Sequence, residues 1–234
     1  MKNTKNLKSI IISAVIFVMM VACFAGIGII EVSAANDVAK IGEVSYTSFA
    51  DAFSVAKSGE TVVALSDSDE AFDIKTGVMF DGSEFTFSGN VRNFGTILGG
   101  NFTNPITSTG NIDNGTFEGR VTTMAGTIYG GTFNGGLSGS ATISGGIFTV
   151  KLESLMGNVN GGTFNCDVSL VGNGQTVTKA MFNGSVYVGA GTTIINANEG
   201  DIVLGENFQL SKLEGTINCT AHFGGEASCT EQAK

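Results

Sequence analysis

Gly130-Gly131-Thr132-Phe133-Asn134-Gly135 is followed by Gly145-Gly146-Ile147-Phe148 and then by Gly161-Gly162-Thr163-Phe164-Asn165. Outward from these units the same signal runs through most of the chain. Phenylalanines stand at Phe87, Phe102, Phe117, Phe133, Phe148, Phe164 and Phe182, at intervals of 15, 15, 16, 15, 16 and 18 residues, and Asn198 takes the next place. Four residues after each comes an aliphatic side chain: Val91, Ile106, Val121, Leu137, Leu152, Val168, Val186 and Ile202. Five residues before a rung stands another, at Ile97, Ile112, Ile128, Ile143, Val159 and Val177. A unit this short cannot bury its own apolar face, so neighbouring units must stack into one continuous core.

The spacing selects the architecture. Helical hairpin repeats need about 33 to 47 residues, and propeller blades a similar length. A unit of 15 or 16 residues leaves room only for three short strands and three corners. The expected fold is therefore all-β: a single-stranded parallel β-solenoid with coils of 15–18 residues. Corners precede the rungs at Gly99-Gly100, Asn114-Gly115, Gly130-Gly131, Gly145-Gly146 and Gly161-Gly162, where glycine or asparagine tolerates positive φ. A second corner follows the rungs at Gly89, Asn104, Gly119, Gly135 and Gly184. Lys179-Ala180 replaces the first corner in the 18-residue unit, which predicts a bulge or enlarged turn there.

Residues 1–34 have the form of a secretory signal peptide. Lys2, Lys5 and Lys8 precede an apolar run from Ile10 to Ile30, and Val32-Ser33-Ala34 supplies the small residues of a cleavage site. A retained membrane anchor is the alternative, because a run of this length can span a bilayer. Ser13, Gly26, Gly28 and the cleavage-like end favour processing. Met20-Val21-Ala22-Cys23 resembles a lipoprotein cleavage box, but a further apolar stretch follows Cys23. Without this segment the chain carries 9 basic and 20 acidic residues, a net charge of −11. So acidic a chain argues against nucleic acid and anionic surfaces as partners. The expected location is extracellular or at a cell surface, as a monomer, with membrane contact only through an uncleaved N-terminus.

Residues 35–66 form the expected N-terminal cap. Lys40 to Tyr46 alternates weakly and predicts one short strand. Ser48 can cap a helix in which Phe49, Ala52, Phe53 and Ala56 share one face, with Gly59 as its stop. Thr61 to Leu65 has the composition of a buried strand. A lid suits such a helix, because the open end of a solenoid exposes core and unpaired strand edges. A partner-binding helix is the alternative. Residues 67–205 then make the solenoid, and 206–234 a C-terminal cap and tail in which Phe208, Leu210, Leu213, Ile217 and Phe223 supply the apolar groups.

The entry stretch Ile41-Gly42, Tyr46 to Ala52 and Ser58 to Val62 resembles the opening of right-handed parallel β-helix proteins of the pectin-lyase-like superfamily. The Gly-Gly-Thr-Phe-Asn-Gly units are similar to repeats of secreted or surface proteins of Gram-positive bacteria. The resemblance covers roughly residues 40–204 and implies right-handed coiling. It also raises the polysaccharide lyases and hydrolases of that superfamily, which use clustered aspartates, with Ca²⁺ and a basic residue in the lyases.

The stacked rows answer that suggestion. Equivalent positions on adjacent coils lie about 4.8 Å apart, yet the rows one and three residues after each rung, and the row after the mid-turn aliphatic residue, set no two carboxylates on neighbouring coils. Lys151 and Asp167 are adjacent and read as an exposed ion pair of under about 1 kcal/mol. Asp67, Asp69, Glu70 and Asp73 offer oxygens for Ca²⁺ but lack the EF-hand pattern, and a solvated loop accounts for them. His222 is the only histidine, which excludes a histidine-based metal site or a Ser/His triad. Cys219 and Cys229 are spaced to close a small loop, and Cys166 reads as an unpaired, half-buried thiol. The column Thr96, Asn111, Thr127, Thr142, Asn158 and Thr176 reads as a stacking ladder, not as an ice-binding face, because the companion column is irregular. No catalytic, cofactor-binding or metal residue is assigned. The expected function is a secreted, non-catalytic module, adhesin-like or binding glycan or protein; the alternative is a carbohydrate-active enzyme with an unfamiliar site.

Overall fold

The computed structural model describes residues 36–196, 202–204, 206 and 209–219. The signal-like segment 1–34, Asn198, Phe208, His222, Phe223 and Cys229 lie outside them. The fold is a parallel β-solenoid of about 8 turns, with 53% of the described residues in strands and one short helix among them. Each regular coil carries three strands, as in Ile106–Ser108, Asn111–Ile112 and Thr116–Phe117. The first of these joins a 9-stranded sheet, and the other two join a 16-stranded sheet that bends at the paired glycines.

The register confirms the ladder. Phe102, Phe117, Phe133, Phe148 and Phe164 pair coil on coil, as do Ile97, Ile112, Ile128, Ile143 and Val159. All are at most 1% exposed, so the apolar rows meet along the axis as one core. From Phe102 to Phe182 the rings stack at 4.8–5.2 Å. That distance is set by the backbone ladder, since strands in a sheet are about 4.8 Å apart.

Glycine serves the corners in two ways. Gly100, Gly115, Gly131, Gly146 and Gly162 have φ from +100° to +133°, as the first corner requires. The second corner is a matter of close approach instead. A Cβ on Gly119 would stand 2.2 Å from the carbonyl carbon of Asn104 one coil away. A third glycine-rich column, Gly95, Gly110, Gly126 and Gly157, lies at the corner between the sheets, and the sequence pattern did not single it out. Here a Cβ on Gly110 would meet the Gly95 carbonyl oxygen at 2.0 Å.

Beside that corner runs a buried polar column. Asn93, Ser108 and Thr123 are at most 3% exposed and face into the stack. Asn93 donates to Ser108 Oγ at 3.0 Å and to the Asn111 carbonyl at 2.9 Å, and accepts from Gly95 N–H at 3.0 Å. Thr123 donates to the Ser138 carbonyl and accepts from Ala141 N–H, each at 3.2 Å. These side chains satisfy main-chain groups that turn away from both ladders, which offsets the cost of burying polar atoms. Three coils on, Gln175 takes over: it accepts from Gly172 N–H and donates to the carbonyls of Leu155 and Gly157.

Several local expectations need correction. Lys40 to Tyr46 is not one strand but a hairpin, β1 (Ala39–Ile41) and β2 (Val44–Tyr46), turning at Gly42 with φ +57°. The helix α1 (Phe49–Val55) stops at Ala56, whose ψ of 135° takes the chain out of helix before Gly59. The 18-residue unit does carry a bulge-like register shift at Lys179, but Lys179-Ala180 continue the strand Thr176–Phe182 and the added length lies in the turn Gly172-Asn173-Gly174-Gln175. The rung after Phe182 is Leu204, which takes the place expected for Asn198, and Ile202 lies opposite Ala180. Leu210 likewise pairs with Val186, where Ile202 was expected. Leu204 is half-buried and packs against the core, whereas Leu210 remains 43% exposed.

The N-terminal end is closed as a lid. Phe49, Ala52 and Phe53 are buried. Phe49 stacks on Phe72 at 4.8 Å and meets Phe80 and Phe87 edge-on at 5.7 Å. The hairpin adds β1 antiparallel to β3 (Thr61–Ala64), which itself pairs parallel with Met79–Phe87, so the long sheet continues through the hairpin and ends in the short, exposed strand β2.

Candidate functional site

The bend of the long sheet leaves a shallow outward groove parallel to the stack. The paired glycines Gly130-Gly131 and Gly145-Gly146 form its floor: a Cβ on Gly130 or Gly145 would stand 2.6 or 2.1 Å from a carbonyl oxygen of the coil beside it, while Gly131 and Gly146 sit at positive φ. Thr132, Ile147 and Thr163 line one side, on the row just before the rungs, and Asn114 stands at one end. Its volume is about 470 Å³. Ile147 is 44% exposed, and Tyr129 on the neighbouring outward row is 56% exposed. The groove is lined by hydroxyl, amide, apolar and main-chain groups, with no charged side chain among them. It can offer hydrogen bonds and flat apolar contact to an extended neutral chain.

A larger hollow of about 830 Å³ lies between α1 and the start of the 9-stranded sheet. Phe53 and Phe72 back it, Phe94 forms an exposed edge, and Asp73, Lys75 and Arg92 supply charge. That charge is already engaged. Arg92 grips Asp73 through two hydrogen bonds, of 2.7 and 2.5 Å, which hold the guanidinium pKa above its ordinary value. Lys75 Nζ donates to the Ser54 carbonyl at 2.6 Å, at the C-terminal end of the helix.

Three of the four carboxylates at 67–73 are spent on structure, and Asp69 is exposed. Glu70 reaches across to α1 and accepts from Phe49 N–H at 2.8 Å and Ala50 N–H at 2.9 Å, satisfying two donors that a helix start leaves open. Asp67 accepts from Thr86 N–H at 2.8 Å, and Asp73 is held by Arg92. Among the described residues no group of three metal-ligating side chains converges. Two roles were missed in the sequence: Glu70 lies 21 residues from its partner, and Phe72, although 15 residues before Phe87, pairs with Val91 in the aliphatic row.

The other expected contacts divide. Lys151 does not pair with Asp167; it lies 3.7 Å from Glu153, while Asp167 accepts from Ser185 N–H at 2.9 Å. The nearer carboxylate and the free N–H of the next coil each outcompete a long exposed side chain. The Asn/Thr column does act as a ladder, but by capping the next coil's main chain: Asn111 accepts from Thr127 N–H and Asn158 from Thr176 N–H. Cys166 is free and half-buried, and burial together with the nearby Asp167 carboxylate pushes its thiol up to about 11. A surface cluster of Tyr187, Glu214 and Lys212 was not foreseen; the phenol and the ammonium both donate to the Glu214 carboxylate, which lowers its pKa. The pairing of Cys219 with Cys229 lies outside the described residues. No helix among the described residues is long and apolar enough to cross a membrane. Comparison with protein-family models, curated proteins and solved structures yields no match to this chain.

Proposed function

We propose that this chain is a secreted, non-catalytic β-helix module of the right-handed, pectin-lyase-like kind, serving as an adhesin-like binding element at a Gram-positive bacterial surface. Its ligand is an extended neutral glycan or a protein segment. The observation that carries the reading is the glycine-floored groove, which presents Thr132, Ile147 and Thr163 at one-coil intervals along a rigid face. Rungs repeated at about 4.8 Å suit a ligand that is itself repetitive. The carboxylates of residues 67–73 support the non-catalytic part, since Asp67, Glu70 and Asp73 hold main-chain or guanidinium partners.

A glycan array probed with the secreted form tests the reading, with Thr132→Lys and Thr163→Lys as groove-blocking variants. Binding that falls in both variants supports it. Binding unchanged in both rejects the groove. New reducing ends or unsaturated uronate absorbance on incubation with polysaccharides would establish the enzyme reading instead.

A further inference from the structure

Five asparagines among the described residues precede a glycine: Asn114, Asn134, Asn160, Asn173 and Asn183. In such a pair the glycine nitrogen can attack the asparagine side-chain carbonyl, because no Cβ on the second residue obstructs the approach. The fold separates the five. Asn134 donates to Glu118 and accepts from Thr149, while Gly135 N–H is bound to the Phe117 carbonyl. Asn160 accepts from Thr178, and Asn183 donates to Asn165 at 2.6 Å. Gly174 N–H, after Asn173, donates to the Gly191 carbonyl at 3.1 Å. In each of these four a reacting group is held by another coil.

Asn114 differs. Its side chain is exposed, and its Oδ1 accepts from its own Gly115 N–H at 2.9 Å. Nucleophile and electrophile therefore face each other, and no residue of a neighbouring coil holds them apart.

We propose that Asn114 is a site of spontaneous covalent modification, closing to a succinimide with Gly115 and opening to aspartate and isoaspartate. The Gly115 nitrogen forms a bond to Asn114 Cγ, and the bond from Cγ to the side-chain nitrogen breaks. Ammonia leaves carrying the proton given up by Gly115. Solvent water then adds to one imide carbonyl and cleaves its bond to the ring nitrogen. Attack at one carbonyl restores the ordinary main chain with aspartate; attack at the other routes the main chain through the former side chain. Both products place a new carboxylate at the end of the neutral groove, which Asn114 lines.

The test is incubation of the folded protein at pH 8.5, with peptide mass mapping over weeks and isoaspartyl methyltransferase labelling. Hydrogen bonds of ordinary net strength protect Asn134 and Asn183, so Asn114 should react roughly 5- to 30-fold faster than either. The same measurement in urea should bring the rates together. An Asn114→Gln variant, which cannot readily close the five-membered ring, should lose the fast phase of ammonia release. Equal native rates at Asn114 and Asn134, a ratio unchanged in urea, or a fast phase that survives in the glutamine variant would each overturn the proposal.

Discussion

The rings of Phe117 and Phe133 lie 4.8 Å apart and within 13° of parallel, although the two residues belong to successive coils. Isolated aromatic pairs prefer offset or edge-on arrangements. At Phe49 and Phe80, where the helix is free of the ladder, the rings do meet edge-on. Inside the stack the parallel main-chain register dictates the geometry, and the rings follow it.

Phe133 is fully buried between Phe117 and Phe148. Phe133→Ala should therefore cost roughly 3–5 kcal/mol in a denaturant titration. Asn134 points outward but bridges Glu118 and Thr149, so Asn134→Ala should cost about 0.5–1 kcal/mol. Equal losses would mean that the inward and outward faces are exchanged.

Glu70 binds the two leading N–H groups of α1 from a neighbouring coil. Removal of a helix cap costs about 0.5–2 kcal/mol, and Glu70→Ala is expected to fall in that range. Glu70→Gln keeps a carbonyl acceptor and should lose less. A Glu70→Ala protein as stable as the parent would show that the carboxylate does not cap the helix.

Two glycines separate close approach from backbone conformation. A Cβ on Gly110 would strike the Gly95 carbonyl, whereas one on Gly174 meets nothing within 4 Å but sits at φ +73°. Gly174→Ala should cost about 1–2 kcal/mol, the strain of a left-handed alanine. Gly110→Ala forces two coils apart and should exceed it, at about 3 kcal/mol. Thermal melts of the two variants rank them, and the reverse order would contradict the coil spacing.

The Cys166 thiol, raised from 9.0 to about 11 first by burial and then by Asp167, should be a slow nucleophile at neutral pH. Its alkylation rate in the folded protein should rise with pH toward about 11. The linkage has a definite sign. The folded state keeps a proton that the unfolded chain releases near 9, so this contribution to stability falls as pH rises from about 9 to 11. A rate plateau already reached near pH 9 would place the thiol in water.

The helix and hairpin cover the first coil, where Phe49 and Phe53 each contribute about 1.5–3 kcal/mol on burial. Deleting residues 35–58 should expose that coil and its strand edge and give aggregates or end-to-end oligomers by light scattering. A stable, soluble monomer would instead favour a recognition role for the helix.

The phenylalanine ladder could be read from the sequence, but the glycine column at Gly95, Gly110, Gly126 and Gly157 was not. The phenylalanine interval, the inward register and the first corner are imposed on every coil alike, so each position is stated many times over. The amphipathic face and Ser48 made α1 legible because helix signals are local. What occurs once was decided by the tertiary structure. Where the long coil inserts its extra residues depends on whether Gln175 can satisfy the corner's main chain. The rung at Leu204 depends on which side chain fills the space beneath Phe182, not on counting from it. Glu70 meets α1, and Arg92 meets Asp73, only because closing the first coils brings residues about 20 apart in sequence side by side. The groove has the same origin: a Cβ on Gly130 or Gly145 in its floor would strike a carbonyl of the coil beside it, and only the stacked coils set that distance.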